Sequence, residues 1–167
     1  MKSFVRSAWT VLAILAGMSA PTLASDSNSW AVAVGVGAVD QDAIGGAPTA
    51  SLELEDRFTR AFSLGLRGGY FTKDDCCGEQ RDTIYAVIFG RARWPRDGVQ
   101  PFLEAGGGRY EFEGHPLDGW FGGTGIDFQF SERLGLLLAV RYHSVPRPPL
   151  GALPDFAEVQ AALHFDF

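Results

Sequence analysis

Three residues near the end of the chain carry side chains of the kind used in nucleophilic acyl transfer: His143, the adjacent Ser144, and Glu158. Such catalysis needs the serine hydroxyl within hydrogen-bond reach of a basic imidazole, which a carboxylate can orient. The surrounding sequence alternates apolar and polar residues, which is typical of a β-strand. Adjacent strand residues point to opposite faces, so His143 and Ser144 should diverge unless the strand has already ended. We therefore predict no catalytic residues and keep these three as the alternative set.

A larger group of charged residues alternates with apolar residues. It consists of Glu53, Arg67, Arg91, Arg93, Glu104, Asp127, Arg141 and Glu158. His143 and His164 share the phase of this group, and Glu55 and Asp166 are expected near its rim. Buried charges cost several kcal/mol each unless they are paired, so we expect arginines and carboxylates to pair on one enclosed face. A structural ion network is the favoured interpretation, and a narrow ion path is the alternative.

The two cysteines, Cys76 and Cys77, are adjacent in the polar segment 73–82. An oxidising compartment would permit a vicinal disulfide, although neighbouring cysteines can close only a tight, strained ring. An exposed loop without chemistry is the favoured interpretation. Two thiols are too few for a structural zinc site, and His115 has no second ligand nearby. The acidic residues of the segment do not match a calcium-loop spacing. We predict neither a metal nor a cofactor.

The N-terminus has the features of a secretory signal peptide. Lys2 and Arg6 precede an apolar run over residues 8–16, and Thr22-Leu23-Ala24 offers small residues for cleavage. We predict a signal peptide over 1–24, cleaved near Ala24, and one domain over 25–167. Loss of two of the 14 basic residues leaves 12 against 20 acidic residues, a net charge of −8. This acidic balance argues against nucleic acid or anionic lipid as a partner.

The rest of the chain contains no sustained helical period. Eight segments alternate with a period of two and are predicted as strands: 30–37, 49–55, 62–70, 83–94, 101–112, 120–130, 134–143 and 158–167. Gly106-Gly107-Gly108 could hold a bulge in the fifth. Short connections at 55–60, 95–100 and 131–133 alternate with longer ones. The longer connections are 40–47, 73–82, 113–119 and 144–155.

Aromatic residues near the strand ends fall on the apolar face. They are Trp30, Phe62, Tyr70, Trp94, Trp120, Phe130, Tyr142 and Phe167. Aromatic girdles of this kind lie at the two lipid–water interfaces of a membrane barrel, whereas a soluble barrel has charge outside. We predict an all-β, eight-stranded antiparallel up-and-down transmembrane β-barrel. Its short turns and both termini would be periplasmic, and side chains would fill its lumen.

Several stretches of the second half resemble small outer membrane β-barrel proteins of the outer membrane protein A transmembrane-domain type. These stretches are Gly122-Gly123-Thr124-Gly125-Ile126-Asp127-Phe128, Ser131-Glu132-Arg133-Leu134, Leu138-Ala139-Val140-Arg141-Tyr142-His143 and Phe165-Asp166-Phe167. The resemblance implies location in the cell outer membrane, contact with its lipid, and assembly by periplasmic chaperones and the barrel assembly machinery. Phe167 would belong to the assembly signal. Since no peptidoglycan-binding domain follows, a cell-wall tethering role is not expected.

The expected function is structural or adhesive, through the outward-facing loops, with the loop partner unknown. Lipid A 3-O-deacylases are also small outer membrane barrels that use a Ser, a His and a Glu. The sequence His143-Ser144-Val145 departs from their pattern, in which one residue separates His from Ser and Asn follows. An esterase of that type is therefore one alternative. A narrow channel or small-ligand carrier is the other.

Overall fold

The computed structural model describes residues 29–41, 45–74, 80–94, 96, 98–112, 114–145 and 155–167. Within these ranges the chain forms eight strands: β1 (Ser29–Gln41), β2 (Gly45–Arg57), β3 (Phe62–Asp74), β4 (Gln80–Arg93), β5 (Val99–Phe112), β6 (His115–Gln129), β7 (Leu134–Ser144) and β8 (Phe156–Asp166). The predicted signal segment 1–24 and Cys76 and Cys77 lie outside the described residues. No helix in the described ranges is long and apolar enough to cross a bilayer.

The strands form a closed barrel in which each pairs antiparallel with the next and β1 pairs with β8. The predicted eight-stranded up-and-down barrel is confirmed. Ser29 and Phe167 lie at the same end, where the Phe167 amide donates to the carbonyl of Trp30 at 2.8 Å. This proximal end also carries the β2–β3, β4–β5 and β6–β7 turns. The opposite, distal end carries the other four connections.

The distal strand ends extend further than the sequence suggested. Residues 113–119 were expected to form a loop, but β5 and β6 continue pairing to Phe112 and His115. Only two residues remain for the turn, and Gly114 adopts a φ of 79° there, a left-handed conformation that glycine adopts at little steric cost. The loop prediction at this position was wrong. Ladder hydrogen bonds continue into a segment whose Pro, Asp and Gly content is typical of a loop.

The three successive glycines of β5 do not form a bulge. Pairing with β4 runs without interruption from Thr83↔Phe112 to Arg93↔Phe102, and pairing with β6 is equally regular. The side chains of β5 therefore keep one phase, with Glu104, Phe102 and Tyr110 on the inner face. β4 ends one residue before its predicted end at Trp94, although the Trp94 amide still donates to the carbonyl of Pro101 at 2.9 Å.

The two faces of the wall differ in chemistry, as predicted. Large apolar side chains cover the outside, including Val36 at 66% exposure and Phe130 at 62%. Charged side chains face inward, and four arginines among them are buried: Arg67, Arg91, Arg93 and Arg141. The interior is filled partly because glycines make room for rings. A Cβ at Gly69 would lie 2.1 Å from the ring of Tyr85, and one at Gly125 would lie 2.5 Å from the ring of Phe102.

Candidate functional site

The centre of the lumen is an ion network around Arg91 on β4. Its guanidinium donates to Glu55 at 2.6 Å, to Glu53 at 2.9 Å and to Glu104 at 2.7 Å. Arg67 on β3 donates to the same Glu53 at 2.7 Å and to Glu104 at 2.9 Å. Glu53 and Glu104 therefore each face more than one arginine. These bonds join side chains of β2, β3, β4 and β5 across the lumen.

Arg141 extends the network toward β7 and β8. It donates to Glu53 at 3.0 Å, also contacts Glu104 and Gln160, and lies 3.6 Å from Glu158. The inward phase of β7 places Arg141 opposite Glu158 in the register of β8. Buried ions are stabilised only when charge pairs and hydrogen bonds together replace lost hydration. The shared carboxylates provide such pairs for three arginines at once, although Nη1 of Arg67 has no hydrogen-bond partner among the described residues.

The proximal part of the lumen contains Arg93, Asp127 and His164. Arg93 contacts Glu55 at 2.5 Å and lies 3.5 Å from Asp127. His164 lies 2.7 Å from Asp127 and 3.3 Å from Asp166. Asp166 occupies the proximal rim as expected, whereas Glu55 is buried inside the network. The structure thus brings together all eight charged residues that the sequence singled out, and it places Glu55, which was expected at the rim, among them.

The distal half of the lumen is aromatic, which the sequence analysis missed. We call this group the aromatic plug; it comprises Phe71, Tyr85, Phe89, Tyr110, Phe112, Phe121 and Phe156, with Val39 and Val145 packed among them. A signal was present in the sequence. Tyr85 and Phe89 have the same odd phase as Arg91, and Phe121 has the phase of Asp127. The rings of the aromatic plug therefore separate the ion network from the distal end of the barrel.

His143 lies between the network and the plug. Its ring stacks on Phe156 with centroids 4.3 Å apart and on Phe121 at 5.3 Å. Its Nδ1 is 2.9 Å from the Tyr110 hydroxyl, and its Nε2 is 3.4 Å from Glu158. The imidazole is fully buried. These contacts indicate that the His143 ring is part of the packed interior of the barrel.

Arginine–ring contacts connect the two halves of the lumen. The Arg67 guanidinium lies 4.8 Å from the ring centroid of Phe89 and 5.1 Å from that of Phe121. Arg91 lies 4.8 Å from Phe89 and 4.7 Å from Phe102. Cation–π contacts of this kind strengthen when desolvated. They let the charged layer pack directly against apolar rings without an intervening gap.

The possible catalytic set is not assembled. His143 and Glu158 face the lumen, whereas Ser144 lies on the outer side of β7, as the alternation of a strand requires. The Ser144 hydroxyl donates to Asp155 at 3.2 Å. A carboxylate at that position does not replace the imidazole base of the alternative set. The arrangement supports no serine-based acyl transfer.

Other reactive groups are sparse in the described ranges. Within them, no group of three or more His, Cys, Asp or Glu side chains could hold a metal ion. His115 is exposed at the start of β6. Phe167 is 80% exposed, so its side chain contributes little packing to the folded barrel.

No family model matches the sequence, and no curated protein matches it. Similarity to solved structures is clear. Neisserial surface protein A superposes with a TM-score of 0.68 at 10% identity, covering 84% of this chain and 97% of that one. Ail, the attachment invasion locus protein of Yersinia pestis, gives a TM-score of 0.56 at 10% identity, with 85% and 100% covered. The outer membrane enzyme PagL gives 0.51 at 16% identity, with 80% and 97% covered.

These similarities show the fold. The chain has the architecture of the small eight-stranded outer membrane β-barrels, as its resemblance to the outer membrane protein A type implied. Proteins with this fold include an attachment protein and an enzyme. The architecture alone therefore does not assign an activity.

Proposed function

We propose that this chain is an integral outer membrane protein whose filled lumen makes it a rigid, non-conducting anchor for an outward-facing distal surface. The single observation that carries the proposal is the inverted distribution of polarity. Charges are buried in the lumen, while large apolar residues such as Leu52, Leu64 and Trp120 are more than half exposed. Soluble monomers rarely expose a contiguous apolar patch above a few hundred Å². A bilayer would cover this surface.

The strand lengths support the same proposal. β1, β2 and β3 each contain 13 residues. With a rise of about 3.3 Å per residue and a tilt of about 40°, each spans roughly 30 Å along the barrel axis. This matches the hydrocarbon thickness of a typical bilayer. In this proposal the proximal end faces the periplasm, and Phe167 forms part of the assembly signal.

Cell fractionation and gel mobility test membrane insertion. We expect the protein in the outer membrane fraction, resistant to extraction by urea, with different mobility in unheated and boiled samples. Recovery in the soluble periplasm with no mobility difference would contradict the proposal.

The filled lumen supports the proposal that the barrel does not conduct ions. Purified protein in a planar bilayer is expected to produce no single-channel currents. Phe156→Ala combined with Phe121→Ala removes both rings that stack on His143 and serves as the comparison. Steady currents from the unaltered protein would instead support the channel alternative.

The distal surface supports an adhesive role. At the end of the β5–β6 hairpin, Arg109, Glu111, His115 and Asp118 are exposed on extended strands. Rigid strands offer such groups to a partner with less loss of conformational entropy than a flexible loop does. Attachment of bacteria displaying the full protein to epithelial cells is the test. Loss of attachment on Arg109→Ala with Glu111→Ala, at equal surface amounts, is the expected result.

A hydrolase role receives no support from the site. PagL is called an outer membrane enzyme, and the fold is shared, but Ser144 contacts Asp155 and not His143. We therefore propose a non-enzymatic function.

A further inference from the structure

The outer wall carries a groove with a volume of about 880 Å³, within the range of small-molecule pockets. Its centre follows one row of paired, outward-facing residues across five strands. The row runs Leu64, Gly90, Ala105, Gly122 and Tyr142. Three of these residues have side chains no larger than a methyl group. The row therefore forms the floor of the groove, and the larger side chains of Leu64 and Tyr142 stand at its two ends.

Two glycines of this groove, Gly90 and Gly122, are not required by the packing of the barrel. An added Cβ would meet nothing within 4 Å at Gly90 or at Gly122, whereas one at the inward-facing Gly69 or Gly125 would overlap a ring. Glycine within a strand costs stability, and it often marks close approach of a ligand or another backbone. Nothing among the described residues approaches these two. Gly68, elsewhere on the outer face, is nearly as open, but Gly90 and Gly122 lie in one row with Ala105, and an occupant from outside the chain would explain that row.

The groove is long and oblique. Four strand spacings of about 4.8 Å separate its ends, which makes it roughly 19 Å long. Leu64 lies near the proximal start of β3, and Tyr142 lies near the distal end of β7. Phe58 of the β2–β3 turn lines the proximal opening. This length is comparable with the half-thickness of about 15 Å of a bilayer's hydrocarbon core.

The polar groups around the groove already have partners. The Thr124 hydroxyl donates to the carbonyl of Phe102 at 2.9 Å, and the Tyr142 hydroxyl donates to Asp155 at 2.9 Å. The groove is also bordered by Arg91, Glu104 and Arg141, but their charged groups bond to one another in the ion network of the lumen. An occupant of the groove therefore needs no hydrogen-bonding groups. Its chemistry suits an extended apolar chain.

The dimensions disfavour a second copy of the protein. A stable protein interface covers about 800 Å² on each partner and involves roughly 20–30 residues a side. Only 16 residues line the groove, and several of them contribute backbone alone because their side chains face inward. A narrow, linear occupant fits better.

We propose that the groove binds one acyl chain of a phospholipid, which enters at the proximal opening beside Phe58. This inference rests on the membrane insertion proposed above. Gly90, Ala105 and Gly122 form the floor, and the lipid chain replaces side chains that those positions lack.

Native mass spectrometry of the full protein in detergent, titrated with dioleoylphosphatidylcholine, tests the proposal. The unaltered barrel is expected to carry one tightly bound lipid. Gly90→Leu with Gly122→Leu fills the floor and should weaken binding about tenfold, which corresponds to lost contact with about two methylene groups. The matched control is Gly68→Leu with Ala86→Leu, a paired outward position on β3 and β4 away from the groove, and it should bind as the unaltered protein does.

Heat-dependent gel mobility identifies variants that fold. Should the double glycine variant fail to fold, Ala105→Leu narrows the same floor without replacing a glycine and is expected to weaken binding as well. A folded, membrane-inserted barrel without bound phospholipid would overturn the proposal, as would equal weakening in the control. If the unaltered protein forms a dimer and the groove variants do not, the groove would be assigned to a second copy of the protein. If the protein preferentially retains lipid A, phospholipid would be rejected as the occupant. Failure of membrane insertion itself would instead refute the proposed function.

Discussion

Replacing Arg91 by methionine should destabilise the barrel by about 3–5 kcal/mol, the usual cost of removing one partner from a buried ion network. Methionine retains an unbranched apolar stem but lacks the guanidinium. The Arg91 side chain is 1% exposed and donates to Glu53, Glu55 and Glu104 within 3.0 Å. The variant leaves three buried carboxylates with fewer donors. Because Arg67 also contacts Glu53 and Glu104, we expect a loss nearer the lower value.

The assay is reversible urea unfolding of the refolded barrel in lipid vesicles, followed by tryptophan fluorescence. Arg109→Met is the matched control, since Arg109 lies 3.5 Å from Asp118 with side chains 61% and 84% exposed. Exposed pairs of this kind contribute about 0–1 kcal/mol. Adding Glu104→Gln to Arg91→Met removes one charge of each sign and should recover part of the loss. An Arg91→Met variant as stable as the control would refute the argument that the network stabilises the lumen.

Three further predictions concern the proximal end, the lumen wall and the outer face. Phe167→Ser should lower the amount of heat-modifiable barrel assembled in cells several-fold, yet leave refolding in detergent unchanged because the side chain is 80% exposed; equal loss in both measurements would indicate a packing role. Gly69→Val should destabilise the barrel by about 1–3 kcal/mol through overlap with the Tyr85 ring, whereas Gly68→Val on the outer face should change unfolding little. Ser144→Ala should leave the acylation of cellular lipid A unchanged by mass spectrometry, and an altered acylation pattern would restore the esterase interpretation.

The sequence predicted the wall of the barrel well because the wall is governed by a local rule. Alternation fixes which residues share a face, and Arg91, Arg93 and Arg141 identify the inner face wherever they occur. Once eight such segments are aligned, the lumen charges follow from the phase alone. Their individual partners do not. Glu53 contacts arginines from β3, β4 and β7, and those contacts depend on the curvature and register of the closed sheet.

The distal half was less predictable because apolar residues occur on both faces there. Tyr85, Val87 and Phe89 face inward between outward-facing Ile84, Ile88 and their neighbours, so hydrophobicity no longer distinguishes inside from outside. The β5–β6 hairpin was missed for a related reason. Its residues after Gly114 have loop-like composition, and their strand pairing follows from hydrogen bonds to β5, which composition does not report.

The two halves of the lumen solve one problem by different means. An eight-stranded barrel encloses only enough room for side chains, so the inward positions hold either apolar groups or charged groups that pair with one another. Near the proximal end arginines and carboxylates pair with each other, and near the distal end rings pack together. Arg67 and Arg91 join the two by lying against Phe89. Because the interior is thereby committed to holding the barrel together, contacts with other molecules must be made by the two rims and the lipid-facing wall. Those are the places where the attachment and lipid-binding experiments should find an effect.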